Sequence, residues 1–191
     1  MTAPKLCLAS SSPRRRELLR QIGVAHDQIS ISVDESRRPA EMPADYVMRL
    51  AKTKAAAGLG AVPDGVVVAA DTAIAIDGAV LGKPADRAEA RALLARLSGR
   101  EHEVFTAVAV GGGDNIRTAL SRSRVVFRDI HEDEIDAYAA TGEGDDKAGA
   151  YAIQGRGAVF VARVEGSYSG VVGLPLCETA ELLASFGVRP F

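Results

Sequence analysis

Lys5-Leu-Cys-Leu-Ala-Ser-Ser-Ser-Pro-Arg-Arg-Arg-Glu-Leu-Leu-Arg-Gln-Ile-Gly23 reads as a strand that turns directly into a helix. Residues 5–9 form a short apolar run of strand length. Ser12 suits an N-cap, and Pro13 suits the first helical position, where its missing N–H costs nothing. Leu18, Leu19 and Ile22 then give an inward stripe that Gly23 ends. A strand feeding an amphipathic helix is the building unit of an α/β protein.

The alternation continues outward from that unit. Residues 28–33 alternate, with Ile29, Ile31 and Val33 on one side. Across 44–58, Tyr46, Val47, Leu50, Ala51 and Lys54 recur at helical spacing. An apolar strand at 66–70 ends in Asp71-Thr72, resumes at 73–76, and meets the hairpin turn Asp77-Gly78. Asp86 and Glu89 stand as N-cap and N3 of a helix reaching Ser98. Strands are expected at 103–110 and 120–127, joined through the glycine-rich 111–115, then a helix at 132–140. Residues 142–157 read as a long functional loop, 158–164 as a strand and 175–186 as a closing helix. Hairpins beside crossovers imply an α/β single domain over 1–191 with a mixed sheet.

Composition agrees. The chain has 191 residues, 47% hydrophobic and 25% charged, the balance of an ordinary globular protein. A net charge of −2 argues against a nucleic-acid partner. The opening residues lack an apolar signal core, and no run approaches the roughly 18 apolar residues of a membrane span. Cys7 and Cys177, both among apolar residues, read as buried thiols of a reducing, cytoplasmic compartment.

Three segments carry candidate chemistry. Arg14, Arg15 and Arg16 crowd the first turn of a helix, where a cation is unfavourable by about 0.3–1 kcal/mol each. A bound phosphate would relieve that conflict, with Ser10 and Ser12 as added donors; a solvated basic turn is the alternative. Asp71 ends an apolar strand among alanines, where a carboxylate is costly unless it meets a cation. It serves as a metal ligand, a general base or a turn cap, and a hairpin can return Lys83 beside it. The third segment, Asp145-Asp146-Lys-Ala-Gly-Ala-Tyr-Ala-Ile-Gln154-Gly155, suits a pocket wall or a mobile surface loop. Asp34-Glu35 after a strand is a weaker acidic pair. His26, His102 and His131 have no metal-like spacing and read as surface residues. Gly166-Ser-Tyr-Ser-Gly170 lacks the strand-to-helix context of a nucleophile elbow.

Taken together, the chain resembles the Maf family of nucleoside triphosphate pyrophosphatases over nearly its whole length. The resemblance rests on Leu8-Ala-Ser-Ser-Ser-Pro-Arg-Arg-Arg-Glu-Leu-Leu19, Asp34-Glu35, Tyr46-Val47 with Leu50-Ala51 and Lys54-Ala55, and Ala70-Asp71-Thr72. Leu81-Gly-Lys-Pro84, Leu97-Ser-Gly99, Asp146-Lys-Ala-Gly-Ala-Tyr151, Ile153-Gln-Gly155 and Val171-Val-Gly-Leu-Pro175 complete it.

That resemblance implies a mixed central β-sheet flanked by helices, two lobes with a cleft between, and an architecture similar to the inosine-triphosphate pyrophosphatases. It implies hydrolysis of dTTP and UTP to the monophosphate and pyrophosphate, a divalent Mg²⁺ or Mn²⁺, and commonly a homodimer. Asp71 matches the family's proton acceptor; Arg14, Thr72 and Gln154 match the positions marking the pyrimidine branch. On this reading Ser10, Ser12, Arg15, Lys54, Lys83 and Lys147 bind phosphate with Arg14, and Glu35, Asp71 and Asp146 hold the metal. Ala152 and Gly170 depart from a frequent glycine and asparagine. Two other functions fit the same residues: a non-catalytic nucleotide-binding regulator of septum formation, and a purine-directed house-cleaning pyrophosphatase.

Overall fold

Apolar alternation along the strands builds one mixed sheet with helices on both faces, in a computed structural model that describes residues 4–190. The elements are β1 (Leu6–Ala9), α1 (Pro13–Gln21), β2 (Asp27–Ile29), α2 (Pro43–Ala61), β3 (Val66–Ile76), β4 (Ala79–Leu81) and α3 (Arg87–Leu97). They continue as β5 (Glu101–Gly112), β6 (Asn115–Phe127), α4 (Glu132–Ala140), β7 (Val161–Glu165), α5 (Tyr168–Val172) and α6 (Leu176–Ala184). The strands lie in the order β2-β1-β3-β5-β6-β7, with β4 beside β3. β1 runs parallel to β2 and β3, and the other pairings are antiparallel.

The period of two in β3 splits the core. Val66, Val68, Ala70, Ile74 and Ile76 face the layer holding Leu19, Leu94 and Leu183, whereas Val67, Ala69, Ala73 and Ala75 face Val47, Ala51 and Ala55 of α2. The fully buried leucines Leu19, Leu50, Leu94 and Leu183 anchor these helices, each worth about 1.5–3 kcal/mol in buried apolar surface.

One irregularity places the site. β3 pairs with β5 from Val66 to Ala75, but on its other side it pairs with β1 only over Val66–Val68 and with β4 only over Ile74–Ile76. The sheet is therefore open beside residues 69–73, and side chains from both faces of β3 reach that gap. β4 can turn back so tightly because Asp77 (φ 53) and Gly78 (φ 74) both adopt the left-handed conformation of a two-residue hairpin.

Several sequence expectations change. Asp71 lies within an eleven-residue strand and does not end one. β5 and β6 meet through Gly113-Asp114 alone, with Gly112 opposite Asn115. The strand expected at 28–33 stops at Ile29, because the chain leaves the sheet edge and lays Ile31 against the gap. The strand expected at 158–164 begins at Val161, since Arg156–Phe160 forms a 3-10 turn that buries Gly157 and Phe160. The closing helix spans Leu176–Ala184, and the loop from 142 contains a 3-10 turn at Ala148–Ala150. β7 is followed by α5, so a strand-to-helix turn does exist at Gly166-Ser167; Tyr168 holds the central position, and Ser167 Oγ caps α5. Cys7 is buried, but Cys177 lies on the solvent side of α6, opposite Thr179 and Leu183. His102 is buried, 1% exposed, facing the apolar layer against Phe127. Residues 1–3, which the expectation of no signal core includes, lie outside the described residues.

Candidate active site

The gap in the sheet opens into a cleft of about 530 Å³. It is bounded by the β1–α1 turn, the open stretch of β3, the β4 hairpin, residues 146–154 and the end of α5. Every site residue expected from the sequence lines it. Ser10, Ser12, Arg14 and Arg15 come from the first turn, Glu35 from the loop after β2, Lys54 from α2, and Asp71 and Thr72 from β3. Lys83, Asp146, Lys147 and Gln154 close the other side. Five cations face three carboxylates there, a local positive surplus on a chain whose net charge is −2.

Asp71 sits at its centre. Its Oδ1 accepts a 2.6 Å hydrogen bond from Lys54 Nζ, and the same ammonium lies 2.7 Å from Glu35 Oε1. Lys54 reaches both because its position on α2 follows the apolar stripe facing β3. Burial pushes the Asp71 carboxyl above the ordinary aspartate value; Lys54 and Arg15 pull it back, and the Glu35 charge adds to the rise. Burial acts on Glu35 too, but the Lys54 hydrogen bond and charge, with Lys83 and Arg15, hold it low. Tyr46 Oη donates to the Glu35 carbonyl at 3.0 Å, fixing the loop that carries it.

Arg15 is a structural clamp as much as an anion ligand. Its Nε donates to the Gly173 carbonyl at 2.8 Å, and its other nitrogens reach Ser10 Oγ and Thr72 Oγ1 at 3.3 Å. Burial lowers its pKa, with Asp71 opposing the shift, yet an arginine stays charged. Thr72 Oγ1 also lies 3.0 Å from Thr106 Oγ1, which donates to the Gly170 carbonyl at 2.7 Å. One guanidinium thus joins α1, β3 and α5. Ser12 Oγ caps α1 through the Arg15 N–H, so its hydroxyl is partly committed to the helix.

On the opposite wall Lys147 Nζ donates to the Glu143 carbonyl at 2.6 Å and pairs with Asp146, whose carboxyl that contact holds low. The Gly149 N–H donates to the Gly82 carbonyl at 3.1 Å, tying this wall to the β4 hairpin that carries Lys83.

Among the described residues no three His, Cys, Asp or Glu side chains are grouped to hold a metal ion. Glu35 and Asp71 converge on one point, now filled by the Lys54 ammonium, while Asp146 is engaged by Lys147. Two hard oxygen donors fit a cation such as Mg²⁺, which usually takes one or two carboxylates and completes its shell with phosphate oxygens and water.

Sequence reading gave no supporting role to Tyr46, Thr106, Tyr138 or Glu143, nor to the buried pair His102–Tyr151, whose Nε2 and Oη are 2.8 Å apart. His102 and Thr106 follow the inward alternation of β5 as polar residues in an apolar strand, and that period was the available signal.

Comparison with known proteins identifies the family. A family model described as Maf-like protein matches residues 5–186. The chain belongs to the Maf family. It is 54% identical over 185 residues to a Methylococcus capsulatus protein named dTTP/UTP pyrophosphatase, covering 96% of this chain and 92% of that one. A Methylobacillus flagellatus protein of the same name is 53% identical over 186 residues, covering 96% and 94%. Among solved structures, the Staphylococcus aureus Ham1 protein aligns with a TM-score of 0.45 at 15% identity, over 67% of this chain and 72% of that one.

Proposed function

We propose that this Maf-family chain is a nucleoside triphosphate pyrophosphatase that hydrolyses dTTP and UTP to the monophosphate and pyrophosphate. The observation that carries this reading is the Asp71–Lys54–Glu35 cluster, seated in the open stretch of β3 and ringed by Arg14, Arg15, Lys83 and Lys147.

Phosphoryl transfer depends mainly on positioning and charge stabilisation, and the parts are divided accordingly. Arg14, Lys83 and Lys147 cradle the phosphate tail, with Ser10 and Ser12 donating to its oxygens, and Arg15 holds the surrounding walls while adding its charge. Asp71 accepts the proton of the water that attacks the α-phosphorus. Glu35 and Asp71 would hold Mg²⁺ or Mn²⁺, and a bound cation supplies neutralisation of phosphate charge. Lys54, beside both carboxylates, adds its charge to the phosphate cradle. Gln154 and Thr72, with Arg14, address the base, since a primary amide complements the O and N–H edge of uracil or thymine.

A cytoplasmic setting and a homodimer complete the proposal; two free cysteines suit a reducing compartment, and no helix among the described residues is long and apolar enough to cross a membrane. The testing experiment is pyrophosphate release from a panel of UTP, dTTP, ITP and 7-methyl-GTP with Mg²⁺. Preference for UTP and dTTP, lost in Asp71→Asn, supports the reading; preference for a purine, or binding without turnover, overturns it.

A further inference from the structure

Glu143 lies outside the cleft lining, yet its carboxylate is one of the most fully used acceptors in the chain. Its Oε2 accepts from Tyr138 Oη at 2.8 Å and from the Gly157 N–H at 3.2 Å, and its Oε1 accepts from the Arg156 N–H at 3.0 Å. Tyr138 Oη in turn accepts from the Ala152 N–H at 3.0 Å. Tyr138 belongs to α4, is buried, and packs edge-on against Phe160 at 5.1 Å, so the pair is moored to the core. The chain is shaped around this carboxylate. A Cβ on Gly155 would come within 2.2 Å of Glu143 Oε1, and one on Gly157 within 3.0 Å of Tyr138 Oη. Burial pushes the Glu143 carboxyl up, but the two backbone N–H groups and the tyrosine hydroxyl outweigh it and hold it ionised and low.

Gln154 is bracketed by these contacts: Ala152 before it is tied to Tyr138, and Arg156 and Gly157 after it are tied to Glu143. Lys147 is fastened to the same residue through the Glu143 carbonyl. Gln154 itself is exposed in the cleft, so its aim is set by the backbone on either side. We propose that Glu143, acting with Tyr138, is a positioning residue for substrate selection: it holds the stretch from 152 to 157 so that Gln154 meets the edge of the pyrimidine base. The inference rests on the nucleotide reading above and assigns to Glu143 no contact with substrate.

The test measures kcat and KM for UTP and CTP in the wild type, Glu143→Gln and Tyr138→Phe, beside thermal unfolding and amide hydrogen exchange. Glu143→Gln keeps the shape but turns an N–H₂ toward backbone N–H donors. We expect the UTP-to-CTP ratio of kcat/KM to fall about tenfold, mostly through a higher KM for UTP, because a small misplacement of a recognition group is enough for that. The Arg156 and Gly157 amides should exchange faster while the β3 and β5 amides keep their protection. A merely structural residue would lower the turnover of both nucleotides together. An unchanged ratio in both variants, in a wild type that prefers UTP, overturns the inference alone. A wild type that turns over neither nucleotide, or does not distinguish them, overturns the nucleotide reading or the base assignment of Gln154, and the inference with it. Should Glu143→Gln fail to fold, Tyr138→Phe decides by the same ratio.

Discussion

The Lys54 ammonium lies 2.6 Å from the Asp71 carboxylate, and that contact is what allows a charged residue in the middle of an apolar strand. Both side chains are nearly buried, at 12% and 10% exposed. Removing one partner of such a pair leaves a stranded charge, which typically costs about 3–5 kcal/mol. Lys54→Met should therefore lose about 3 kcal/mol of unfolding free energy in urea. Lys54→Met/Asp71→Asn should recover most of the loss, whereas loss from packing alone would persist in the double variant.

Asp71 is held above the ordinary aspartate value, chiefly by burial. The folded chain therefore binds more protons than the unfolded one in the window between the ordinary value and the raised one. Stability falls as pH rises through that window, and the charged residue costs stability at neutral pH. Asp71→Asn, with Lys54 still paired to Glu35, should remove that fall of stability with pH. Activity should drop by about 10²–10⁴-fold, the range for losing a general base. Calorimetry and pyrophosphate assays on one preparation check both halves.

The acid limb of the pH–rate profile follows from the same group. Asp71 must be ionised to accept a proton, and the neighbouring Glu35 charge helps to keep its pKa up. Glu35→Gln should move the acid limb of kcat/KM to lower pH even as the rate falls. A limb that stays in place would assign it to another group.

Arg15 donates to three partners in the planar fork that lysine lacks. Arg15→Lys should lower kcat/KM for UTP by about 10²-fold, since each hydrogen bond from a charged group is worth about 1.5–3 kcal/mol. Thermal unfolding of the variant should show the loosened α1–α5 junction.

Much of this was legible in the sequence, and the exceptions have physical causes. The Ser12-Pro13 start of α1 and the Asp86–Glu89 cap of α3 were readable because capping is local chemistry. The position of Asp71 was not: a carboxylate after the apolar run 66–70 looks like a strand end, and only its pairing with β5 shows that β3 runs on. The opening beside residues 69–73 depends on where β1 and β4 stop, a tertiary fact with no local signal. All the cleft residues named from the sequence came together, yet their supports, Tyr138, Glu143 and Thr106, act through partners distant in the chain or hidden in a glycine-rich loop.

His102 shows what burial does to a residue expected at the surface. Desolvation lowers its pKa from 6.5 to about 4, and its Nδ1 is buried without a partner among the described residues. The unfolded chain gains a proton near pH 6.5 while the folded one stays neutral, so stability is fully present above 6.5 and falls as pH drops toward 4. The span amounts to about 3 kcal/mol. A His102→Phe/Tyr151→Phe variant, which removes both hydrogen-bonding partners together, should lose much of this acid sensitivity in urea titrations between those pH values.

The most direct measurement is hydrolysis of UTP in water labelled with heavy oxygen, read by phosphorus NMR. Attack at the α-phosphorus beside Asp71 places the label in UMP and leaves pyrophosphate unlabelled, with turnover largely lost in Asp71→Asn. Label in the pyrophosphate, release of UDP and orthophosphate, or undiminished turnover in Asp71→Asn would contradict the role given to this cleft.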